Sequence, residues 1–308
     1  MECVCAESAI SRLQTLKTAQ CANSVRKMRQ MAKKKYTRNE SDIQNLLRQG
    51  RGKGIGENYI PYFFVRDVPS LGRSHRIYSK LSGRVHHLLS DIEYGHYLTF
   101  DMDDSVVDIR EQFALNRDET IKIASLLGFR HPKDPRSDTT SVMTTDLVIT
   151  YKTRSSPIHK AFAIKPTSET HKPRVSEKLK IEEVYWKEKG VPFQVLTEHD
   201  IPLHLKRSLQ WLRQYHDLSK FTEPSPGRFD ELAQHLLICI SASNTHEITL
   251  CEICGLLDNH LAYEVGSHLM IARHMLATRM LQTNLNREQL WNTPICEIEI
   301  HPRLLPNC

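Results

Sequence analysis

The chain has 308 residues, enough for two domains that each bury a core, and 40% of its residues are hydrophobic. No apolar run approaches the ~20 residues that a membrane-spanning helix needs, and the first thirty residues lack the apolar core of a secretory signal. The eight cysteines show no regular framework, which favours a reducing cytosol. The net charge is +6.

That charge is concentrated near the start of the chain. Residues 24–54 hold ten Lys and Arg against Glu40 and Asp42, a net +8 that leaves −2 for the rest of the chain. The densest part is RKMRQMAKKK, Arg26–Lys35, in a predicted flexible basic extension of residues 1–40. Such a segment favours a polyanion, here DNA, through counterion release. The alternative is a tail that only aids solubility.

A short helix is predicted over Ser41–Gln49, followed by the Gly-rich segment GRGKGIG, Gly50–Gly56. The segment lacks the GK[ST] ending of a phosphate-binding loop, and no strand precedes it. We interpret it as a flexible basic loop that brings Arg51 and Lys53 close to DNA.

Three arginines, Arg73, Arg76 and Arg84, surround two short β-like runs joined by a Ser82-Gly83 turn. Guanidinium groups bind phosphate in a bidentate manner, so we expect these side chains to contact the DNA backbone.

The next segment, His86–Phe100, has apolar residues at helical spacing, with Ser90 or Asp91 near its start. Glu93 lies inside this predicted helix. Val106–Phe113 then reads as a strand, in which Glu111 either lies near a metal or, more simply, pairs at the surface.

The most informative segment is SVMTTDLVITYKTRSSPIHKAFAIKP, Ser141–Pro166, which predicts a strand, a turn and a second strand. Asp146 opens the first strand and Lys165 closes the second, so a hairpin brings a carboxylate beside an ammonium. A Mg²⁺-dependent phosphodiesterase needs this pair: the carboxylate holds the metal, and the ammonium orients water or neutralises charge on phosphate. Alternatively, Asp146 is a turn residue and Lys165 merely ends an edge strand.

An acidic residue on a helix, one at a strand start and a Lys on the next strand form the pattern of restriction-endonuclease-like nucleases. A predicted helix, Ser176–Lys189, and a predicted strand, Val191–Thr197, complete an α/β core with a mixed sheet over residues 41–199.

Residues 200–308 are predicted to form an α-helical, winged-helix-like domain. Predicted helices at 203–215, 229–241, 249–256 and 263–281 precede a segment that resembles a β-wing. Cys251, Cys254, His260 and His268 raise the possibility of zinc, but a second CxxC is absent and both cysteines fit an apolar helical face. The helix with Arg273, His274 and Arg279 suits DNA reading or protein docking.

Several long segments resemble the TnsA family, the endonuclease subunit of multi-subunit cut-and-paste bacterial transposons. They are GRGKGIGENYIPY (Gly50–Tyr62), VPSLGRSHRIYSKLSGRVHHLLSDIE (Val68–Glu93), DSVVDIREQFAL (Asp104–Leu115), MTTD (Met143–Asp146), IKP (Ile164–Pro166) and EKLKIEEVYW (Glu177–Trp186). The resemblance extends over roughly Met31–Ile201.

The resemblance implies that Glu93, Asp146 and Lys165 occupy catalytic positions and that Glu182 is a further acidic residue of the site. The family usually carries a polar residue, often Gln, two positions before the Lys, where this chain has Ala163. That departure puts a side-chain contact to metal or water in doubt. It leaves backbone carbonyls such as that of Ile164, so the implied metal ligands are Glu93, Asp146 and Ile164.

The implied function is Mg²⁺-dependent cleavage, with Mn²⁺ able to substitute, of double-stranded DNA at the 5′ ends of a transposon, on the strands that are not transferred. The implied partners are a transposase that cuts and joins the 3′ ends and an ATP-dependent regulator, in the bacterial cytoplasm at the nucleoid and without a membrane. The competing interpretation is a non-catalytic DNA-binding or scaffold subunit.

Overall fold

A computed structural model of the protein describes residues 38–68, 72–242 and 247–302. The strands are β1 (His75–Ser79), β2 (Arg84–Leu88), β3 (Val106–Ala114), β4 (Thr144–Tyr151), β5 (Ile158–Ile164), β6 (Phe193–Leu196), β7 (Leu281–Gln282) and β8 (Glu299–Ile300). The helices are α1 (Glu40–Arg48), α2 (Asp91–Asp101), α3 (Arg117–Leu126), α4 (Thr167–Thr170), α5 (Pro173–Glu188), α6 (Leu203–Arg213), α7 (Arg228–Ala242), α8 (Leu250–His260) and α9 (Ser267–Ala277). Residues 1–37 of the predicted basic extension lie outside the described part of the chain.

The central sheet has the strand order β3-β4-β5-β6 and is mixed. The β3–β4 and β4–β5 pairs are antiparallel, and β5 pairs with β6 in parallel. A parallel pair needs a crossover connection, which α5 supplies between β5 and β6. The sheet is therefore the mixed α/β arrangement expected from the sequence.

Both faces of this sheet are covered, which explains the unbroken apolar run Leu147–Ile149 in β4. On one face, Val148 packs in a cluster with residues of α3 and α5. On the other face, Leu147 and Ile149 pack with residues of α2 and of the C-terminal helices. The ends of β4 and β5 are thus held between two apolar layers.

The helix predicted over His86–Phe100 begins later than expected, because its first residues form β2. His86 pairs with Ile77 of β1, and burial alternates along the strand, with His86 and Leu88 buried. Ser90 caps α2, which starts at Asp91. Other predicted bounds move by a few residues, the largest change being the last helix, predicted over 263–281 and found at Ser267–Ala277.

The C-terminal helices pack directly against the central sheet and α2. Leu212 of α6, Leu236 of α7 and Met275 of α9 belong to the same apolar cluster as Tyr97 and Ile149. The predicted division at residue 200 therefore does not separate two hydrophobic cores. Within the described ranges, no helix is both long enough and apolar enough to cross a membrane.

Candidate active site

Asp146 and Lys165 are brought together by the β4–β5 pairing. Asp146 lies inside β4 and is 8% exposed, and its Oδ2 accepts hydrogen bonds from Lys165 Nζ and from Ile164 N, both at 2.6 Å. The turn-residue alternative for Asp146 is therefore wrong. Lys165 follows β5, which lies between β4 and β6 and is not an edge strand.

Glu93 lies in the first turn of α2 and is 6% exposed. Its Oε2 accepts from Leu89 N at 2.9 Å, and its Oε1 accepts from Ser90 Oγ at 3.0 Å. Burial raises the pKa of Glu93 to about 7, with the negative charge of Asp146 adding to the effect. The ionised forms of the two carboxyl groups therefore repel each other.

Glu182, on α5, approaches the same region from the opposite face of the sheet. It is 5% exposed, and Thr145 Oγ1 donates to its Oε2 at 3.0 Å. Burial raises the pKa of Glu182 to about 8; Lys165 opposes this shift and Asp146 adds to it. Burial disfavours the charged form of Lys165, but Asp146 and Glu182 outweigh it and raise its pKa.

This arrangement suits a divalent cation. Burial, together with the charge of Asp146, raises the pKa values of Glu93 and Glu182, so a bound cation would stabilise the ionised form of both carboxyl groups. Both hydrogen bonds found for Asp146 among the described residues end on Oδ2, which leaves Oδ1 for a cation. Over the same residues, no three His, Cys, Asp or Glu are grouped to hold a metal. A cation here would need a backbone oxygen beside Glu93 and Asp146, such as that of Ile164.

Gln112 contacts Glu93, although the sequence pattern did not predict this contact. Its side chain is 2% exposed, and its Nε2 donates to Glu93 Oε2 at 3.4 Å. Because β3 also carries Asp108, Arg110 and Glu111, no local signal set Gln112 apart from the other polar residues of the strand.

Two of the arginines predicted to contact DNA are instead buried in ion pairs. Arg84 donates to both oxygens of Glu111, at 2.9 and 2.7 Å, and Arg51 donates to Asp67 Oδ2 at 2.8 Å. Their side chains are only 9% and 6% exposed. A bidentate guanidinium held this way is part of the scaffold. The Gly-rich loop is likewise anchored, since Gly52 N donates to Ile60 O.

Glu111 is neither a surface residue nor free to bind metal. It accepts from Arg84, from His86 Nδ1 and from His87 N. Burial opposes its charge, but His86 and Arg84 outweigh that effect and lower the pKa of Glu111 to about 2. The carboxylate thus fastens the β1–β2 hairpin to β3.

The remaining predicted DNA contacts, Lys53, Arg73 and Arg76, are exposed. Arg73 pairs with Asp91 at 3.1 Å. Arg76 lines a cavity of about 500 Å³ together with Arg66, whose side chain is 72% exposed and which the sequence analysis did not single out.

Two of the residues that raised the possibility of zinc, Cys254 and His268, have other surroundings. Cys254 is 1% exposed within the apolar core, and burial raises the pKa of its thiol. His268 Nδ1 contacts Asp258 Oδ1 at 2.6 Å.

Comparison with known proteins matches residues 103–198 to the family described as TnsA-like endonuclease N terminal, and residues 200–285 to TnsA endonuclease C terminal. The chain is also 35% identical over 256 residues to the transposon Tn7 transposition protein TnsA of Escherichia coli, covering 83% of this chain and 90% of that protein.

The chain belongs to the TnsA family. The resemblance found in the sequence is thereby confirmed, and this TnsA-family protein is a transposon-cleaving endonuclease subunit. The non-catalytic scaffold interpretation is not favoured.

Proposed function

We propose that the protein cleaves the 5′ ends of a transposon, on the non-transferred strands, with Mg²⁺ (or Mn²⁺) held by Glu93, Asp146 and the carbonyl oxygen of Ile164. The observation that carries the proposal is the contact of Asp146 Oδ2 with both Lys165 Nζ and Ile164 N beside the buried Glu93. Hydrolysis would leave 5′-phosphate and 3′-hydroxyl ends.

Each side chain has a separate part in this proposal. Asp146 and Glu93 present carboxylate oxygens, while Lys165 keeps its positive charge and orients the attacking water or neutralises charge on the phosphate. Glu182 lies near Lys165, and its ionised form would help to keep the ammonium charged. The bound cation would supply Lewis-acid stabilisation of the phosphate.

We propose that Lys53, Arg73 and Arg76 contact the DNA backbone, with Arg66 as an added candidate. Phosphate contacts position a duplex but do not specify its sequence. The basic segment before residue 38 would add sequence-independent affinity. Arg51 and Arg84 do not contact DNA in this proposal; they stabilise the fold beneath the DNA-binding residues through their ion pairs with Asp67 and Glu111.

We further propose that residues 200–308 form a winged-helix-like part that recruits the nuclease to transposon ends through a partner transposase and an ATP-dependent regulator, in the bacterial cytoplasm at the nucleoid. The sequence α8, α9 and then the β7–β8 pair supports the winged-helix interpretation.

The test is cleavage of transposon-end DNA by Asp146→Asn protein with the partner proteins and Mg²⁺ present. We expect a loss beyond the ~10–100-fold typical of residues that only support a ligand. The matched control is Asp138→Asn, which changes a carboxylate whose side chain is 83% exposed. Wild-type-like cutting by folded Asp146→Asn protein would remove the assignment.

A further inference from the structure

We infer that Gln112 is a positioning residue of the active site. Its side-chain amide holds Glu93 in place, and Gln112 is the polar residue of β3 that lies level with Asp146. This inference rests on the proposed function of Glu93 and Asp146. Gln112 is almost fully buried and lies on the central sheet, so its polar side chain has no role at the surface.

The backbone at Gln112 is unusual for the interior of a strand. Its φ is +47°, in the left-handed region that residues other than glycine rarely adopt. The alternation of faces along β3 breaks here: Arg110 and Phe113 would point to opposite sides of a regular strand, yet the Arg110 guanidinium lies 5.2 Å from the Phe113 ring centroid. Strain of this kind persists only where surrounding contacts impose it, and it is concentrated at functional sites.

The strand register places this kink beside Asp146. The pairs Glu111–Leu147 and Phe113–Thr145 flank it, so Gln112 is level with Asp146 on the neighbouring strand. On the other side of Asp146, the pair Leu147–Phe162 leaves Ala163 level with it. A methyl group offers no polar contact, so Gln112 is the cross-strand neighbour that can provide one.

The side-chain amide is oriented by contacts at both ends. Thr144 Oγ1 donates to Gln112 Oε1 at 3.3 Å, which turns Nε2 toward Glu93 Oε2 at 3.4 Å. The main-chain carbonyl of Gln112 accepts from Tyr62 N at 3.1 Å, which holds the kinked backbone. The amide therefore joins the Ser90 hydroxyl and the Leu89 N–H in fixing the Glu93 carboxylate.

The test compares the full-length wild-type protein with Gln112→Gly, which accepts the left-handed backbone but removes the amide. Mn²⁺ binding is measured by calorimetry without DNA, and kcat and KM are measured on transposon-end DNA with partners. We expect Mn²⁺ affinity and kcat to fall by roughly 10-fold or more, with KM for DNA unchanged. Asp138→Gly, which replaces another left-handed residue in an exposed loop, should leave Mn²⁺ affinity unchanged.

Two results would overturn the inference. One is a Gln112→Gly protein that binds Mn²⁺ and turns over as the wild type does. The other is a protein that loses thermal stability while its Mn²⁺ affinity is unchanged, which would make Gln112 purely structural. Asp146→Asn is measured in parallel to distinguish failure of the Gln112 inference from failure of the proposed metal site. If Asp146→Asn also leaves Mn²⁺ binding and cleavage intact, the proposed site itself has failed.

Discussion

At the scale of single residues, the site is dominated by buried carboxyl groups that crowd around one ammonium. Asp146 is compensated directly by Lys165, whereas burial leaves Glu93 and Glu182 with pKa values near or above neutrality. Between pH 4.5 and about 7, without a cation, these two groups hold protons that the unfolded chain would release. Cation binding to the site must therefore release protons, so its affinity should rise with pH.

The pKa of Glu182, which burial raises, predicts how the stability of the protein depends on pH. Below the ordinary value of 4.5, both the folded and the unfolded states carry the Glu182 proton; between 4.5 and about 8, only the folded state does. Rising pH thus favours unfolding across this window. We expect Glu182→Gln to gain roughly 1–3 kcal/mol of unfolding free energy relative to wild type between pH 5 and pH 8.

Urea denaturation at several pH values, with a chelator present, measures this difference. Glu183→Gln is the matched control, because Glu183 pairs with Lys180 on the exposed side of the same helix. If the difference in unfolding free energy between the wild type and Glu182→Gln stays constant with pH, Glu182 is already charged in the folded protein.

At the scale of elements, Ser90 at the N-terminus of α2 both caps that helix and holds a residue of the proposed site. Ser90 Oγ accepts from Glu93 N at 3.1 Å and donates to Glu93 Oε1 at 3.0 Å. One hydroxyl thus satisfies a free helix N–H and fixes the rotamer of a proposed metal ligand. The packing of α2 against the C-terminal helices continues this support, since Lys206 Nζ donates to Asp91 O at 2.9 Å.

Ser90→Ala is therefore expected to lower both the stability of the protein and its kcat. Losing a cap costs about 0.5–2 kcal/mol of stability, and loosening Glu93 should lower kcat by roughly 10-fold. Asn116→Ala removes the equivalent cap of α3, where the side chain accepts from Asp118 N and Glu119 N. It should cost similar stability with kcat unchanged; equal kcat for the two variants would contradict the role given to Ser90.

At the scale of the whole molecule, one hydrophobic core joins the nuclease to the C-terminal helices. A polar link crosses the same boundary: Arg213 pairs with Asp101 at 3.1 Å and donates to Tyr78 O. We expect thermal unfolding of the full-length protein to show a single transition by calorimetry and circular dichroism. Two transitions assigned to the two sides of residue 200 would contradict this.

Arg213→Ala should destabilise the protein by about 3 kcal/mol, because the Asp101 side chain, 8% exposed, would stay buried without its cation. Lys80→Ala, which removes a cation with a side chain 67% exposed, should cost less than ~1 kcal/mol. Denaturant midpoints at constant m value provide the comparison. If Arg213→Ala and Lys80→Ala lose equal stability, the Arg213–Asp101 ion pair contributes no more than an exposed surface pair.

The basic segment predicts a salt effect on DNA binding. Deleting residues 1–35 removes the dense run Arg26–Lys35, which has six Lys and Arg. If each contacts a phosphate, the slope of log affinity against log salt should fall in magnitude by up to about 5. Binding of the full-length and shortened proteins across a salt series measures this slope, and an unchanged slope would identify the segment as a solubilising tail.

The sequence by itself determined the family and the local frame of the site. Turn residues and apolar runs located β4 and β5, and an antiparallel pairing of those strands necessarily brings Asp146 near Lys165. The helix α5 was recognisable because its apolar residues recur at helical spacing. These features depend on neighbours within about twenty residues, so periodicity is enough to find them.

Only the tertiary structure decided which charged residues face the solvent. Arg84 meets Glu111 across 27 residues of chain. Arg51 meets Asp67 across an irregular segment whose course no hydrophobic period predicts, so neither partner is visible in the sequence pattern. The left-handed Gln112 and the core shared across residue 200 were hidden for the same reason. Burial and backbone strain are imposed by distant segments packing together, and a local sequence pattern does not contain that information.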